Sequence, residues 1–311
     1  MSYNGFLVIN KPAGYTSHQV VANLRKILQQ RRIGHTGTLD PMATGVLVIA
    51  IGPSTKLISF LNEEKKIYQA KMIFGLTTDT QDITGSVLSA KPNISVRKEE
   101  IMEALSHFTG KQEQTPPMYS AIKVKGEPLY KLARQGKEIA REKRKITVFC
   151  MKPYGELLPV YNFQEGFQLY IECSRGTYIR TLCHEIGEYL GCGGCMGDLS
   201  RLASGPFHLE QALTLEEIER AVKDDCLTEL MIHPGTALEH LSTFILNQEQ
   251  ANQISEGGRI LFPELDTVKD NELIKGIAED GHLVAILKYI DGPTSYLQPV
   301  RVLKPEPIVV G

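Results

Sequence analysis

The stretch RRIGHTGTLDPMATGVLVIAI, residues 31–51, carries the strongest structural signal in the chain. Residues 31–45 hold three glycines and one proline, a composition that predicts a loop. The apolar run at 46–51 predicts a buried strand that leaves this loop. Asp40 lies inside the loop, and an isolated carboxylate between glycines and a proline is a candidate nucleophile or base. An Asp-Pro pair is also a common turn former, and the spacing alone favours the turn.

Shorter patterns on both sides of this stretch predict a mixture of strands and helices. On the N-terminal side, residues 6–9 predict a strand, and Thr16 with Gln19 has the spacing of a capping box that starts a helix. On the C-terminal side, we expect strands near 67–75, 86–89 and 167–173. We also expect helices that begin at Ser95, at Thr177 and, by a second capping box, at Thr214.

After about residue 235 the sequence changes to short apolar runs separated by turn signals. Asp280 and Gly281 lie between two such runs and predict a β-hairpin. We therefore expect two domains, a larger one over residues 1–234 and a small β-rich one over residues 235–311. The length of 311 residues fits two domains.

The composition excludes several classes of protein. Charged residues make up 23% and hydrophobic residues 42% of the chain, which excludes a mostly disordered protein. No stretch approaches the roughly 20 apolar residues that a bilayer span needs, so we expect no membrane segment. The first residues, MSYNGFLVINKPAGY, lack a basic region. We therefore expect no signal peptide and a cytoplasmic protein.

Charge is unevenly distributed along the chain. Residues 1–209 hold 26 Lys and Arg against 18 Asp and Glu, whereas residues 210–311 hold 8 against 18. The segment 123–145, here called the basic segment, carries nine Lys and Arg against three Glu. Such a stripe is typical of a surface that binds nucleic acid, and a solvated helix face is the alternative that composition leaves open.

Six cysteines are too few for a disulfide scaffold in a chain of this length. Cys192 and Cys195 form one C-x-x-C pair, and Cys183 and His184 lie near enough in sequence to complete a metal site on paper. A zinc ribbon needs a second such pair, which the sequence lacks. We therefore expect reduced thiols in a glycine-rich turn and no metal.

Five motifs, in order, resemble those of the TruB family, the bacterial tRNA pseudouridine-55 synthases. They are KPAGYTS (11–17), GHTGTLDPMATGVLVIAIGPSTKL (34–57), KIYQAKMIFGLTTDTQDITG (66–85), QTPPMYSAIKVKGEPLYKLARQG (114–136) and CSRGTYIRTLCHEIGEYLGCGG (173–194). The resemblance implies an α+β fold, with a mixed, mainly antiparallel sheet flanked by helices and loops and a small C-terminal PUA-like domain. It also implies a partner, tRNA, in whose T-arm loop one uridine becomes pseudouridine without metal or organic cofactor. We expect a monomer with no obligate protein partner.

The same resemblance assigns roles to four site residues. Asp40 matches the family's catalytic aspartate, and Arg180 matches the arginine that pairs with it and orients it. Tyr68 matches the tyrosine that stacks on the target base. Leu199 falls near a leucine of the active-site wall. The resemblance leaves open whether Asp40 attacks C1′, adds to C6 or acts as a base.

RNA contacts follow from the same comparison. His35 matches a histidine of the RNA-facing loop, and we expect it to fill the space that a flipped-out base leaves behind. Phosphate contacts, which supply affinity without sequence information, are expected from Lys11 and the basic segment. The residues concerned are Lys11, Lys123, Lys125, Lys131, Arg134, Arg141 and Arg144. The acidic C-terminal domain is a poor surface for a polyanion, although Lys269, Lys275, Lys288, Arg301 and Lys304 could form a local patch.

Two other functions are compatible with these motifs. One is a guide-RNA-dependent enzyme of the dyskerin type, which usually carries lysine-rich extensions that this sequence lacks. The other is a tRNA-binding or tRNA-folding protein without turnover, which the presence of Asp40, Tyr68 and Arg180 argues against. A retaining glycosidase would need a second, paired carboxylate, and no such motif stands out.

Overall fold

The computed structural model describes residues 2–124, 126–262 and 268–303. Within them the strands are β1 (Gly5–Lys11), β2 (Ile33–His35), β3 (Thr44–Ile51), β4 (Lys65–Phe74), β5 (Leu76–Thr78), β6 (Val87–Ala90), β7 (Val96–Arg97), β8 (Gly110–Gln114), β9 (Lys123–Val124), β10 (Glu127–Pro128), β11 (Arg144–Pro153), β12 (Val160–Tyr161), β13 (Gly166–Ser174), β14 (Gly194–Ser204), β15 (Phe207–His208), β16 (Ser242–Leu246), β17 (Ile260–Leu261), β18 (Leu273–Ala278), β19 (Leu283–Ile290) and β20 (Tyr296–Val302). The α-helices are α1 (Ser17–Ile27), α2 (Lys98–His107), α3 (Leu129–Arg134), α4 (Ile179–Tyr189), α5 (Leu215–Lys223), α6 (Leu227–Leu230) and α7 (Gln248–Ser255). Short 3-10 helices span Gly52–Phe60, Leu209–Gln211 and Thr236–Leu238.

The chain divides into two compact units. The terminal unit comprises Met1–Pro41, Leu47–Asn62 and Glu210–Gly311, and the central unit comprises Met42–Val46 and Glu63–Leu209. This division does not follow the boundary that we predict after residue 234. That boundary therefore stays a prediction.

In the terminal unit, the two predicted capping boxes are present and start two packed helices. The Thr16 hydroxyl accepts from the Gln19 backbone N–H at 3.1 Å, and the Gln19 side chain accepts from the Thr16 N–H at 2.8 Å, which starts α1. Thr214 and Glu217 do the same for α5. The apolar faces of both helices share one core with β1 and the second half of β3. Capping satisfies N–H groups that a helix start leaves without partners.

The predicted loop at 31–45 is partly wrong, because β2 lies inside it. Ile33 pairs with Ile51 and His35 with Ile49 in an antiparallel ladder. The Ile33 side chain is buried in the same core as α1. A strand of three residues is too short to show the alternation of apolar and polar residues by which strands are recognised. Its pairing with β3 defines it instead.

The C-terminal residues form a separate sheet with the order β16-β18-β19-β20-β17. The predicted hairpin is confirmed, since β18 and β19 pair antiparallel and Gly281 adopts a φ of +89° in the turn. Buried side chains of α7 and these strands form a core of their own. The β-rich character predicted for the C-terminal residues is therefore observed.

In the central unit, strands β14, β4, β13, β11 and β8 lie side by side in that order and are antiparallel throughout. The helix α4 packs on β14 and β4. The fold is thus of mixed helices and mainly antiparallel strands, as predicted. The helix expected from Ser95 begins instead at Lys98, because residues 96–97 form β7 and pair with β12.

Two long strands of this sheet, β11 and β14, do not appear among the predicted elements. The sequence of β14, GCMGDLSRLAS, mixes glycines with charged residues, and its ladder with β4 is interrupted by two register shifts. Bulges of this kind break the alternation of apolar and polar residues by which strands are recognised. The C-x-x-C residue Cys195 therefore lies in a strand and not in the predicted turn.

Candidate functional site

The loop that carries Asp40 is fixed on both sides of that residue. The Leu39 backbone N–H donates to the Ser17 hydroxyl at 3.0 Å. On the other side, the Pro41 carbonyl accepts from the Gly14 N–H at 2.8 Å. The backbone on both sides of Asp40 is therefore held in place, and the Asp40 side chain is half-buried. Rigid support of this kind is what a reacting group needs from its surroundings.

Lys11 belongs to the scaffold of this loop, and the prediction that it contacts phosphate is wrong. Its side chain is fully buried. Its Nζ donates to the carbonyl oxygens of Pro12 at 2.9 Å, Tyr15 at 2.6 Å and Pro41 at 3.2 Å. An ammonium group has three protons, and here they close the 11–17 turn onto the Asp40 loop. A buried lysine with these partners cannot reach a phosphate.

His35 ends β2 and is half-buried. Its ring packs edge-on against the ring of His18, with 5.4 Å between their centroids. The packing limits the movement of the His35 ring. Its role in filling the space left by a flipped base stays a prediction.

Tyr68 and Leu199 lie on one face of the central sheet. Tyr68 is on β4 opposite Arg201 of β14, and Leu199 is on β14 opposite Ala70 of β4. Residues two apart on a strand share a face, so these side chains point to the same side. Tyr68 is 7% and Leu199 5% exposed, so both side chains are buried on this face, together with the opposite Arg201, which is 1% exposed.

Arg180 lies in the first turn of α4 and is almost fully buried. Its Nη1 donates to the Thr80 carbonyl and its Nη2 to the Tyr119 carbonyl, each at 2.8 Å. Its Nε lies 3.8 Å from Oδ2 of Asp82. These contacts hold the planar guanidinium from several directions, which a lysine ammonium could not reproduce.

Asp82 is a neighbour of Arg180 that the sequence did not predict. It is 5% exposed, and its Oδ1 accepts from the Thr80 hydroxyl at 2.9 Å and from the Thr84 N–H at 3.0 Å. These bonds turn the other carboxylate oxygen toward Arg180. The turn-rich run DTQDITG contains two aspartates, Asp79 and Asp82, and nothing in the local sequence indicates which of them lies beside an arginine.

A second group of buried charges lies on the same face of β4 as Tyr68. Lys66 is two residues before Tyr68 and is 6% exposed. Burial, reinforced by the charge of Arg201, lowers the pKa of Lys66 from 10.5 to about 8, and the nearby Glu63 opposes this shift. Glu63 accepts from the Ser204 hydroxyl at 2.9 Å. Lys66 is therefore mostly protonated at pH 7 and loses its proton at only slightly higher pH.

The low pKa of Lys66 makes stability depend on pH in a defined direction. Between about pH 8 and 10.5 the unfolded chain keeps the proton that the folded chain has lost, so the free energy of unfolding rises with pH. We expect wild type to gain about 3 kcal/mol across this range relative to Lys66→Met. Urea unfolding at several pH values measures the difference. The exposed Lys71 on the same strand provides the control Lys71→Met, which should follow wild type. Parallel curves for wild type and Lys66→Met would contradict the assignment.

The basic segment presents most, but not all, of its predicted phosphate contacts to solvent. Exposed side chains are Lys123, Lys131, Arg134 and Arg144. Arg141 is partly turned inward, because its Nη1 donates to the Pro116 carbonyl at 3.2 Å. The predicted contact Lys125 lies outside the described residues. A positive surface is therefore available around α3, as an interface with a polyanion requires.

The cysteines of the C-x-x-C motif are free thiols. Cys192 and Cys195 are buried, and burial raises the pKa of each thiol to about 11. Burial also raises the pKa of Cys183. At neutral pH these groups are protonated and unreactive. In the part of the chain that the structure describes, no group of three or more His, Cys, Asp or Glu side chains could hold a metal ion.

The predicted basic patch of the C-terminal residues is weaker than its composition indicates. Lys275 is buried, and its Nζ donates to the Gly235 carbonyl at 3.1 Å. Lys269 and Arg301 are exposed and Lys288 is half-buried. Lys304 lies outside the described residues. Across residues 2–124, 126–262 and 268–303, no helix is long and apolar enough to cross a bilayer.

Comparisons with known proteins identify the family of the chain. Residues 25–179 match the N-terminal domain of the TruB family of pseudouridylate synthases, and residues 180–251 match the C-terminal domain of tRNA pseudouridylate synthase B. Proteins called tRNA pseudouridine synthase B are 46% identical in Geobacter sulfurreducens, over 82% of both chains, and 38% identical in Bacillus subtilis, over 96% of this chain and 97% of the relative. A solved structure described as a Cbf5-Nop10-Gar1 complex is similar in fold, with a TM-score of 0.72 and 26% identity over 97% of this chain and 85% of that one. The chain belongs to the TruB family of pseudouridylate synthases.

Proposed function

We propose that this protein isomerises uridine 55, in the T-arm loop of tRNA, to pseudouridine. The observation that carries the proposal is the identity of 38–46% to proteins called tRNA pseudouridine synthase B over 82–97% of the chain. The placement of the motif residues supports it. Asp40 is held in a rigid loop, Arg180 is held by three groups, and Tyr68 lies beside Leu199 on one sheet face.

The reaction breaks the N1–C1′ glycosidic bond, turns the uracil and joins C5 to C1′. Reactant and product are isomers, so no electrons are gained or lost. In this proposal the ionised carboxylate of Asp40 acts as nucleophile or base, and Arg180 orients it by charge-assisted hydrogen bonding. Tyr68 stacks on the uracil, and Leu199 excludes water from one side of it.

The target base must leave the folded loop of the tRNA to reach a carboxylate in a protein site. In our proposal the His35 ring, already packed on His18, occupies the vacated position and lowers the cost of unstacking. The exposed part of the basic segment holds phosphates, and recognition comes from the shape of the RNA and its unstacked bases.

The experiment that tests this function is pseudouridine mapping on an unmodified tRNA transcript with purified protein alone. We expect modification at position 55 and nowhere else. A transcript with cytidine at that position is the control and should stay unmodified.

The similar fold of a Cbf5 complex makes a guide-RNA-dependent enzyme the second candidate. That candidate requires activity to be absent with tRNA alone and to appear only with added guide RNA and partner proteins. Tight tRNA binding without modification under both conditions would instead indicate a non-catalytic protein.

Replacing Lys131 and Arg134 together by alanine tests the basic segment. Both side chains are exposed on α3, and each phosphate contact that is lost should reduce the slope of log affinity against log salt by about 1. We therefore expect weaker tRNA binding and a slope reduced by up to about 2, measured by filter binding. Lys223→Ala is the control, since Lys223 pairs with Glu219 on α5 outside the basic segment. An unchanged slope would remove α3 from the interface.

A further inference from the structure

Tyr119 contacts the buried side chain of Arg180 and lies shortly before the basic segment in sequence. It belongs to the stretch between β8 and β9, immediately before the basic segment. Its carbonyl accepts from Nη2 of Arg180 at 2.8 Å, and its hydroxyl lies 3.2 Å from Oδ2 of Asp79, to which it donates. The other terminal nitrogen of Arg180 donates to the carbonyl of Thr80, the residue after Asp79. These hydrogen bonds close a ring through three separate segments of the central unit.

Asp79 is a fixed anchor for the Tyr119 hydroxyl. Its Oδ1 accepts from the Ser86 N–H at 2.8 Å, and its own N–H donates to the Ser86 carbonyl at 3.1 Å. Burial and the charge of Asp79 raise the pKa of Tyr119, so the phenol stays protonated and remains a donor. The loop that begins at Asp79 also contains Asp82, the buried carboxylate beside Arg180.

The neighbours of Tyr119 are bonded to the basic segment. The Ser120 carbonyl accepts from the Tyr130 N–H at 3.1 Å, and the Ile122 carbonyl accepts from the Leu129 N–H at 2.8 Å. Both donors belong to α3, the helix that exposes Lys131 and Arg134. A displacement of α3 by bound RNA would therefore pull on the backbone that supplies a carbonyl to Arg180.

We propose that Tyr119, through its hydroxyl on Asp79 and its carbonyl on Arg180, is a positioning residue that keeps the guanidinium in place while the basic segment binds RNA. This inference rests on the proposed function, since it takes Arg180 to serve the reaction and the basic segment to hold tRNA. The phenol pins the residue to a rigid loop, and the carbonyl then presents a fixed acceptor to Arg180. Without the hydroxyl, the carbonyl follows the movements of the basic segment.

Tyr119→Phe removes the hydroxyl and keeps the ring. We expect the single-turnover rate at saturating tRNA to fall about tenfold, in keeping with the loss of a hydrogen bond to a charged group, while the tRNA dissociation constant stays within about twofold. Tyr154→Phe is the matched control. Tyr154 is 54% exposed, and among the described residues its hydroxyl has no hydrogen-bond partner, so both rate and affinity should equal those of wild type.

A double-mutant cycle with Asp79→Ala identifies the bond through which Tyr119 acts. If the two residues act through one hydrogen bond, the double variant should be no slower than the slower single variant. An unchanged rate in Tyr119→Phe, or a loss of affinity without a loss of rate at saturation, would overturn the inference. Wild-type protein that binds tRNA and leaves uridine 55 unmodified would instead overturn the proposed function, and this inference with it.

Discussion

Asp40→Asn is expected to leave less than roughly one thousandth of the wild-type rate of pseudouridine formation, because an amide is neither a nucleophile nor a base at this site. Asparagine has nearly the shape of aspartate, and the hydrogen bonds that fix the loop come from Ser17, Lys11 and Gly14, not from the Asp40 side chain alone. The fold and the affinity for tRNA should therefore remain close to those of wild type. Single-turnover mapping of position 55 and filter binding measure the two quantities.

The control for this variant is Asp224→Asn, which changes an exposed aspartate at the end of α5 in the same unit. It should modify tRNA at the wild-type rate. If Asp40→Asn retained substantial activity while Asp224→Asn behaved as wild type, the assignment of Asp40 as the reacting group would be wrong.

Arg180→Met should lower both stability and activity. The substitution removes the guanidinium that lies beside the buried carboxylate of Asp82 and the donors of the Thr80 and Tyr119 carbonyls. Removing one partner of a buried ion pair typically costs 3–5 kcal/mol, so we expect a loss of about 3 kcal/mol in the free energy of unfolding. We also expect the single-turnover rate to fall by at least about a hundredfold, because the guanidinium supplies charge and orientation that methionine lacks.

The double variant Arg180→Met/Asp82→Asn separates these two effects. Arg180→Met takes the cationic partner away from the buried Asp82 carboxylate, and Asp82→Asn then replaces that carboxylate by a neutral amide. Part of the lost free energy of unfolding should therefore return, as measured by urea unfolding. The rate should not return with it. Arg97→Met is the control, since Arg97 forms an exposed pair with Glu100 and its loss should leave the free energy of unfolding close to that of wild type. Recovery of the rate together with stability would mean that Arg180 acts only as a structural residue.

Local signals in the sequence predicted local structure well. The capping boxes at Thr16 and Thr214, the apolar run of β3 and the Asp280–Gly281 hairpin depend on neighbouring residues, and all are present. The strand β14 was missed because its identity depends on distant partners, on bulges and on a buried arginine, Arg201. Pairing between residues that are far apart in sequence produces no periodic pattern in the sequence of either strand.

The same distinction applies to the candidate site. The family motifs predict Asp40, Tyr68 and Arg180 as site residues, but they do not show which neighbouring groups hold each one. Lys11 illustrates the difficulty, since a lysine in a basic N-terminal region predicts a phosphate contact and only its burial among three carbonyls shows otherwise. Asp82 is the converse case, because its role depends on an arginine almost one hundred residues away in sequence, Arg180.

The ribbon formed by β5 and β6 has a consequence for how the protein responds to heat. Every residue of β6 is exposed, so half of this two-stranded ribbon has no packed face. An exposed strand of this kind opens more easily than a central sheet, whereas β5 is held by its buried residues Leu76 and Thr78. The loop that the ribbon encloses, with Asp79 and Asp82, is bonded to β14 of the central sheet, since the Ile83 N–H donates to the Met196 carbonyl at 2.9 Å and the Met196 N–H donates to the Gln81 carbonyl at 3.1 Å. Warming should therefore loosen β6 first and leave the partners of Arg180 in place, so that activity persists until the central sheet itself unfolds.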